Sequence, residues 1–501
     1  MTVARGGGSD VATTPVIPGF FPDPSVCRVG EDYYLANSSF EYAPGIPIWH
    51  SRDLRAWTQL GNALERDSQF AAGASAASRG IYAPTLRHRD GTFFLVATNV
   101  DAPGEQFVVT ATDPAGPWSD PIVLAGLGGI DPDLAWDDED GTCVLTYCGL
   151  DPALRPDGGA LPVIAQARVD LARGGVLEPP RILWEGTGLA HPEGPHLFRR
   201  DGWWYLLIAE GGTERGHTVS IARSRAIDGP FESGPANPIL SRRSTSSPVQ
   251  NTGHADLVER PDGTWAMVYL GVRPRGVSPS FHVNGRETFL ARVEWVDGWP
   301  VVHTDEPLPG AVDTAFHDDF PGPLHPRWVS PGAALATFTE RAPRGGLLLR
   351  RLDAANGAPT SLSVRARDLR WRFEVEVDAT AGPVALRVRL DERHWYEVRL
   401  DAGSLTVAAQ IGPLTVSDAV GRADGDTVTL VVEAVDATTD GPDDLRFAVV
   451  DVAGERSRAQ KDGRYLSTEV AGGFTGRTLG LHALGAEPAR VVAVRYVPVD
   501  E

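Results

Sequence analysis

One pattern recurs five times in the first 270 residues and limits what this chain can become. Four copies open on a small or acidic residue before Pro and the fifth on His254-Ala255; each enters an apolar strand start, turns, and continues as a strand. The openings are Asp23-Pro24-Ser25-Val26, Ala83-Pro84-Thr85-Leu86, Asp131-Pro132-Asp133-Leu134, Gly194-Pro195-His196-Leu197 and His254-Ala255-Asp256-Leu257. The turns are Gly30-Glu31-Asp32, Asp90-Gly91, Asp140-Gly141, Asp201-Gly202 and Asp262-Gly263. Strands such as Tyr33-Tyr34-Leu35 and Trp203-Trp204-Tyr205-Leu206 follow them. Successive openings lie 60, 48, 63 and 60 residues apart. A repeat of that length made only of strands and turns predicts propeller blades, each burying its faces on its neighbours around an axis. Matched positions of the blades then converge on that axis. Acids stand at or beside three of the openings, so the pattern predicts that Asp23, Asp131 and Glu193 meet there.

At 501 residues the chain exceeds one ordinary core, and two or three domains are expected. Residues 1–14 read as a flexible tail. Residues 15–302 hold the blade pattern, show no helical periodicity, and predict an N-terminal five-bladed β-propeller. Residues 303–315, with Pro307, Pro309 and Gly310, read as a linker. In 316–501 long alternating strands appear, clearest in Trp371-Arg372-Phe373-Glu374-Val375-Glu376-Val377, with others at 385–390, 395–400, 427–435, 445–452 and 490–497. Such alternation puts one face on a core and one in water, and predicts a C-terminal β-sandwich of jelly-roll type. The fold class is therefore all-β. Gly472-Gly473-Phe474-Thr475-Gly476 stands out in this half as a Gly-rich loop presenting a large aromatic. From the residues alone it reads as a turn whose Phe packs into its own sandwich.

The formal charge is −20, and Lys461 is the one lysine beside the arginines. Such acidity argues against nucleic acid or an anionic membrane as the main partner. No apolar run approaches the roughly 18 residues of a membrane-spanning helix. Cys27, Cys143 and Cys148 show no metal-ligand spacing, and the last two fall on opposite faces of one expected strand. Buried free thiols in a reducing compartment are expected. The first residues lack an apolar stretch of the secretory kind, and the expected location is the cytoplasm.

Glycoside hydrolysis needs two carboxyl groups of different proton affinity, one protonated to release the leaving oxygen and one ionised. A third acid nearby raises the affinity of the proton donor by like-charge repulsion. The three acids have contexts suited to this. Asp23 stands between Pro22 and Pro24, Asp131 precedes Pro132, and Glu193 lies between Pro192 and Gly194-Pro195. Flanking prolines fix the backbone and so aim the side chain. A lone Asp-Pro is ordinarily a turn opener; three acids at matched blade positions are not. The longer Glu suits the donor, which must reach a leaving group.

The first 300 residues resemble the catalytic domain of glycoside hydrolase family 43, of the β-xylosidase/α-L-arabinofuranosidase type with an appended C-terminal sandwich. The resemblance is carried by Gly19-Phe20-Phe21-Pro22-Asp23-Pro24-Ser25, Ser38-Ser39-Phe40-Glu41, Gly80-Ile81-Tyr82-Ala83-Pro84-Thr85 and Gly129-Ile130-Asp131-Pro132. It continues in Pro192-Glu193-Gly194-Pro195-His196-Leu197, Ala209-Glu210-Gly211-Gly212-Thr213, Gly253-His254-Ala255-Asp256-Leu257, Gly285-Arg286-Glu287-Thr288-Phe289-Leu290 and Gly473-Phe474-Thr475-Gly476. It implies an inverting exo-glycosidase acting on non-reducing-end pentosyl residues. β-1,4-Xylosidase activity on xylo-oligosaccharides comes first, with α-L-arabinofuranosidase or dual activity as the alternative. By the same resemblance Asp23 is the general base, Glu193 the general acid, and Asp131 the acid that tunes and orients Glu193.

Arg286 would bind substrate hydroxyls, against the plainer reading of a structural ion pair. Phe40 and Tyr82 resemble the aromatic walls of a sugar pocket and read equally well as strand core. Phe474 would close the pocket, making a site for a chain end. His254 would face the axis and the substrate, beside a structural Ca²⁺ or a water; a lone His carries no metal signal of its own, and the chemistry requires no cofactor. The expected partner is an oligosaccharide, and the resemblance is compatible with a homo-oligomer.

Tyr82 stands where xylosidases of this family often carry Trp. The runs Leu189-Ala190-His191-Pro192 and Ser278-Pro279-Ser280-Phe281-His282-Val283-Asn284 also differ from the common form. These departures bear on substrate identity and leave the acids untouched. A fructan-type hydrolase on a similar fold would need Asn-Asp-Pro and Glu-Cys contexts, where this chain has Pro22-Asp23 and Glu193-Gly194. A non-catalytic sugar-binding propeller would have no need of all three acids.

Overall fold

The computed structural model describes residues 14–71, 73, 75–102, 105–137, 140–304, 312–354, 357 and 359–499. Most of the expected tail (1–13) and of the expected linker (305–311) lies outside them. Five separate antiparallel sheets of four or five strands occupy the first part of the chain. They begin with the strands Ser25–Val29, Thr85–Arg89, Gly129–Trp136, Glu193–Arg200 and Gln250–Glu259. Each first strand pairs with the next along the chain, joined at the turns seen in the sequence. Asp201-Gly202 links two strands with both φ values positive, 49° and 73°, the backbone that matches the natural twist of a two-residue hairpin. Asp90-Gly91 does the same.

The first strands line the axis of a five-bladed propeller, and side-chain bonds across that axis tie the blades together. Ser25 Oγ and the Val26 amide both donate to Asp256 Oδ2, joining the first blade to the fifth. The segment before the first blade also pairs with the fifth through Ile17 and Thr288. Arg87 of the second blade reaches Asp133 of the third at 2.7 Å and Asp256 at 3.0 Å. One guanidinium thus bridges three blades. Removing it would leave two buried carboxylates facing each other uncompensated.

The remainder forms two antiparallel sheets of eight and six strands packed face to face around one apolar core. Trp371–Asp378 alternates between buried and half-buried positions, as its pattern predicts. Ser404–Ile411, Leu414–Arg422, Gly454–Asp462 and Thr478–Ala483 add strands beyond the six read from the sequence. Leu414–Arg422 is exposed along almost its whole length at a sheet edge, so no buried face imposed an alternation to detect. All three cysteines are free and buried.

The sandwich is seated on the propeller. Ser330–Pro331 pairs with Tyr42–Ala43 of the first blade. Arg389 donates to Tyr42 Oη at 2.7 Å and to Glu41 Oε1 at 3.3 Å. His282 pairs with Glu469 through both its amide and its ring, Nδ1 lying 2.7 Å from Oε1.

Candidate active site

Three of the four residues that precede the blade prolines, all but Ala83, share one unusual backbone state. Asp23, Asp131 and Gly194 have φ of 54°, 56° and 55°, and His254, at the fifth opening, has 41°. Holding a non-glycine residue there costs roughly 1–3 kcal/mol. Strand register also slips between Ile130 and Asp133, between Glu193 and His196, and between Gly253 and Asp256. A bulge of this kind re-aims a side chain out of the ladder. At Gly194 only glycine serves: a Cβ would come within 2.9 Å of the His254 ring.

Asp23 is 5% exposed and fully engaged. Ser38 Oγ donates to its Oδ2 at 2.5 Å, Arg286 Nη1 donates to Oδ1 at 3.0 Å, and His254 Nδ1 lies 3.5 Å from Oδ1. Burial pulls its carboxyl upward, but Arg286, His254 and the Ser38 hydrogen bond together hold it below the usual carboxylate range. Asp23 is thereby kept ionised.

Asp131, 6% exposed, accepts the Gly194 amide at 3.1 Å on Oδ2 and so pins the backbone next to Glu193. Burial, and then the charges of Glu193 and Asp23, push the Asp131 carboxyl well above its ordinary range. Burial and the Asp23 charge push Glu193 up to about 7, with Arg286 opposing. Asp131 and Glu193 repel each other in one desolvated space, so near neutrality the pair holds a proton between them. The three acids therefore form one electrostatic unit: one carboxylate fixed as the anion, and a pair that retains a proton.

Arg286 also donates to Thr213 Oγ1 at 3.0 Å, and its guanidinium lies 5.7 Å from the Phe40 ring and 5.6 Å from that of Phe474. It is the ion-pair partner of Asp23 and a pocket wall at once. Phe40 and Tyr82 likewise join core and pocket: Phe40 is 2% exposed on Phe20, while Tyr82 is half-buried against it. Phe474 does not pack into its own sandwich. Its amide donates to Ser78 Oγ at 2.8 Å, and its ring sits 6.0 Å from both Phe40 and Tyr82. The apolar surface it can bury lies on the propeller, because its own core is already closed.

A cavity of about 510 Å³ opens beside these rings, bordered by Arg286, Phe474, Thr213, Asn251, His282 and Glu469. Its size lies within the range of small-molecule sites, roughly 300–1,000 Å³. His254 is buried, and burial drives its ring down to about 4 despite the Asp23 charge, so it is neutral at the axis. Among the described residues no three His, Cys, Asp or Glu side chains are placed to hold a metal ion together. Ca²⁺ takes 6–8 oxygen ligands, so one beside His254 would depend on water for most of them.

Three contributors escaped sequence reasoning. Ser38 and Thr213 lie in runs that carry the family resemblance, but no role of their own could be read for them in strand-end loops. His217 is buried near Asp23, His254 and Arg286, and burial pushes its ring down to about 3. It stands immediately before the third strand of the fourth blade, Thr218–Ser224, a position that carried no repeated signal.

Glycosyl hydrolases family 43 matches this chain over residues 12–300. A xylosidase/arabinosidase of Butyrivibrio fibrisolvens is 47% identical over 303 residues, 58% of this chain and 56% of that protein. The chain thus spans little more than half the length of that relative. A non-reducing-end α-L-arabinofuranosidase of Bacteroides ovatus is 34% identical over 498 residues, covering 94% of this chain and 91% of the relative. Among solved structures, a xylan β-1,4-xylosidase from Bacillus halodurans superposes with a TM-score of 0.85 at 28% identity, covering 97% of this chain and 99% of that one. The chain belongs to glycosyl hydrolases family 43 and is a glycoside hydrolase.

Proposed function

From this membership and the geometry of the acids we propose an inverting exo-glycosidase that removes terminal pentosyl residues, foremost β-1,4-linked xylose from xylo-oligosaccharides. The observation that carries the reading is the separation of protonation states, with Asp23 held ionised while Glu193 is pushed up to about 7. Asp23 takes a proton from water as the water oxygen bonds to the anomeric carbon. Glu193 gives its proton to the glycosidic oxygen as the bond to the leaving sugar breaks, and the configuration inverts. Asp131 positions Glu193 through Gly194 and keeps a proton at the pair. Phe40, Tyr82 and Phe474 enclose one sugar ring, and Arg286 and His254 meet its hydroxyls.

α-L-Arabinofuranosidase activity is the second reading, favoured by the name of the Bacteroides relative that matches nearly the whole chain. Hydrolysis of nitrophenyl β-D-xylopyranoside and nitrophenyl α-L-arabinofuranoside, by the wild type and by Glu193→Ala, separates the two. Sugar binding without turnover on either would instead mark a carbohydrate-binding propeller. Proton NMR of the first-formed anomer tests inversion directly.

A further inference from the structure

The cavity of about 510 Å³ beside Phe474 has a polar wall of its own: none of the three acids is among the described residues that border it. Asn251, from the first strand of the fifth blade, lines it and is 8% exposed. Its φ is 54°, and the strand register slips between Gln250 and Gly253, so its side chain is turned out of the ladder. Among the described residues the Asn251 amide has no hydrogen-bond partner, and its polar atoms keep accessible surface, unlike the sealed Asn284 Oδ1. His282, also 8% exposed, lies on the same wall. Its Nδ1 is 2.7 Å from Glu469 Oε1, and its amide donates to Oε2 at 3.0 Å. Its Nε2 has no partner among the described residues and is likewise unsealed.

Burial pulls the Glu469 carboxyl upward, but the His282 ring and amide hold it below the usual carboxylate range. An ionised carboxylate takes the Nδ1 hydrogen, which leaves Nε2 of the neutral ring as an acceptor toward the cavity. The Asn251 amide adds donors and an acceptor. Buried polar groups are ordinarily satisfied, so two open ones on one wall suit a ligand rich in hydroxyls, each of which donates and accepts. The cavity also lies on the side of the proton donor. Its wall at 213–216 follows Gly211, whose amide donates to the Ala190 carbonyl at 2.6 Å, just ahead of Glu193. A terminal sugar has one glycosidic neighbour, the leaving sugar, and the donor must face it. Resting on the exo-glycosidase reading above, we infer that Asn251 and His282 form a subsite for the leaving sugar, hydrogen-bonding its hydroxyls beside the Phe474 ring. His282 stands in the run 278–284 that departs from the common family form, so the selectivity it confers is this chain's own.

The test uses the full chain and compares xylobiose with nitrophenyl β-D-xylopyranoside, whose leaving group has no sugar hydroxyls. In Asn251→Ala the ratio of kcat/KM on xylobiose to that on the aryl xyloside should fall about ten-fold, as loss of hydrogen bonds to the leaving sugar implies. His282→Asn keeps a donor toward Glu469 and removes Nε2. It should lower the same ratio at a Tm near the wild-type value, which guards against misreading a folding defect. If the wild type hydrolyses only arabinosides, arabinobiose and nitrophenyl α-L-arabinofuranoside serve as the pair. A ratio unchanged in both variants overturns the subsite, whether both rates fall or neither does, since scaffolding acts on the two substrates alike. Absence of wild-type turnover on every pentoside would strike the exo-glycosidase reading instead. The subsite is then read by calorimetry in Glu193→Ala, where xylobiose should bind several-fold tighter than xylose and added Asn251→Ala should abolish the difference. Equal binding of the two sugars overturns the subsite on its own account.

Discussion

Phe474, carried by the sandwich, stacks on Phe40 of the propeller with ring centroids 6.0 Å apart and planes 24° apart. The pocket wall is therefore built by two domains. Aromatic pairs are worth about 0.5–1.5 kcal/mol beyond area burial. Phe474→Ala is expected to lower kcat/KM on nitrophenyl xyloside by up to about ten-fold, mostly through KM, because the ring binds ground and transition state alike. Tm should stay near the wild-type value, since the side chain is half-buried. Steady-state kinetics with a thermal melt checks both expectations.

The opposed protonation states set the shape of the pH profile. In the proposed mechanism Glu193 donates only while protonated, and its carboxyl is pushed up to about 7, so kcat/KM should be full below that value and fall as pH rises through it. In the same mechanism Asp23 accepts only while ionised, and Arg286, His254 and Ser38 hold it below the usual carboxylate range, so the acidic limb should lie on the acid side of that range. Glu193→Gln should lose activity far more on xylobiose than on nitrophenyl xyloside, because nitrophenolate leaves without needing a proton. Equal losses on the two substrates would remove Glu193 from the role of acid.

Arg286 lowers the proton affinity of both Asp23 and Glu193. In Arg286→Met, which keeps an apolar stem against Phe40 and Phe474, burial acts on both carboxyls without that opposition. Both limbs of the kcat/KM profile should then move to higher pH, and kcat should fall by about 10²-fold or more as a base stripped of its charge partner loses its position. Arg286→Lys should rescue the pH limbs in part but not the rate, since a point charge does not reproduce the planar guanidinium between Asp23 and Thr213.

The acids were legible before any coordinates because their signal is local and repeated. A proline-flanked carboxylate at a blade opening announces both its backbone and its destination, and Asp201-Gly202 announces the turn that closes the hairpin. The residues alone did not reveal the Phe474 contact, which only the family resemblance placed at the pocket, because its backbone partner Ser78 lies 396 residues away and nothing near position 474 records that its own core is full. His217 was hidden for a related reason: it stands just before a third strand, whereas the repeat marks only first strands.

In the proposed mechanism Asp131 acts only through Glu193, and substitution separates its two effects. In Asp131→Asn the amide oxygen can still accept the Gly194 N–H, so the 3.1 Å contact and the backbone at Glu193 survive. The carboxylate charge does not survive. The proton that Asp131 and Glu193 hold jointly is retained toward neutrality because releasing it leaves two anions side by side. With a neutral amide in place of one carboxyl, Glu193 releases its proton at lower pH, and the alkaline limb of kcat/KM should move toward acid by about a unit, the size of a typical like-charge effect. At pH 5 the variant should retain much more of its activity than at pH 7, and the residual rate should follow a single ionisation. A purely structural role for Asp131 would instead depress the rate evenly and leave the alkaline limb in place, so the ratio of the two rates distinguishes tuning from scaffolding.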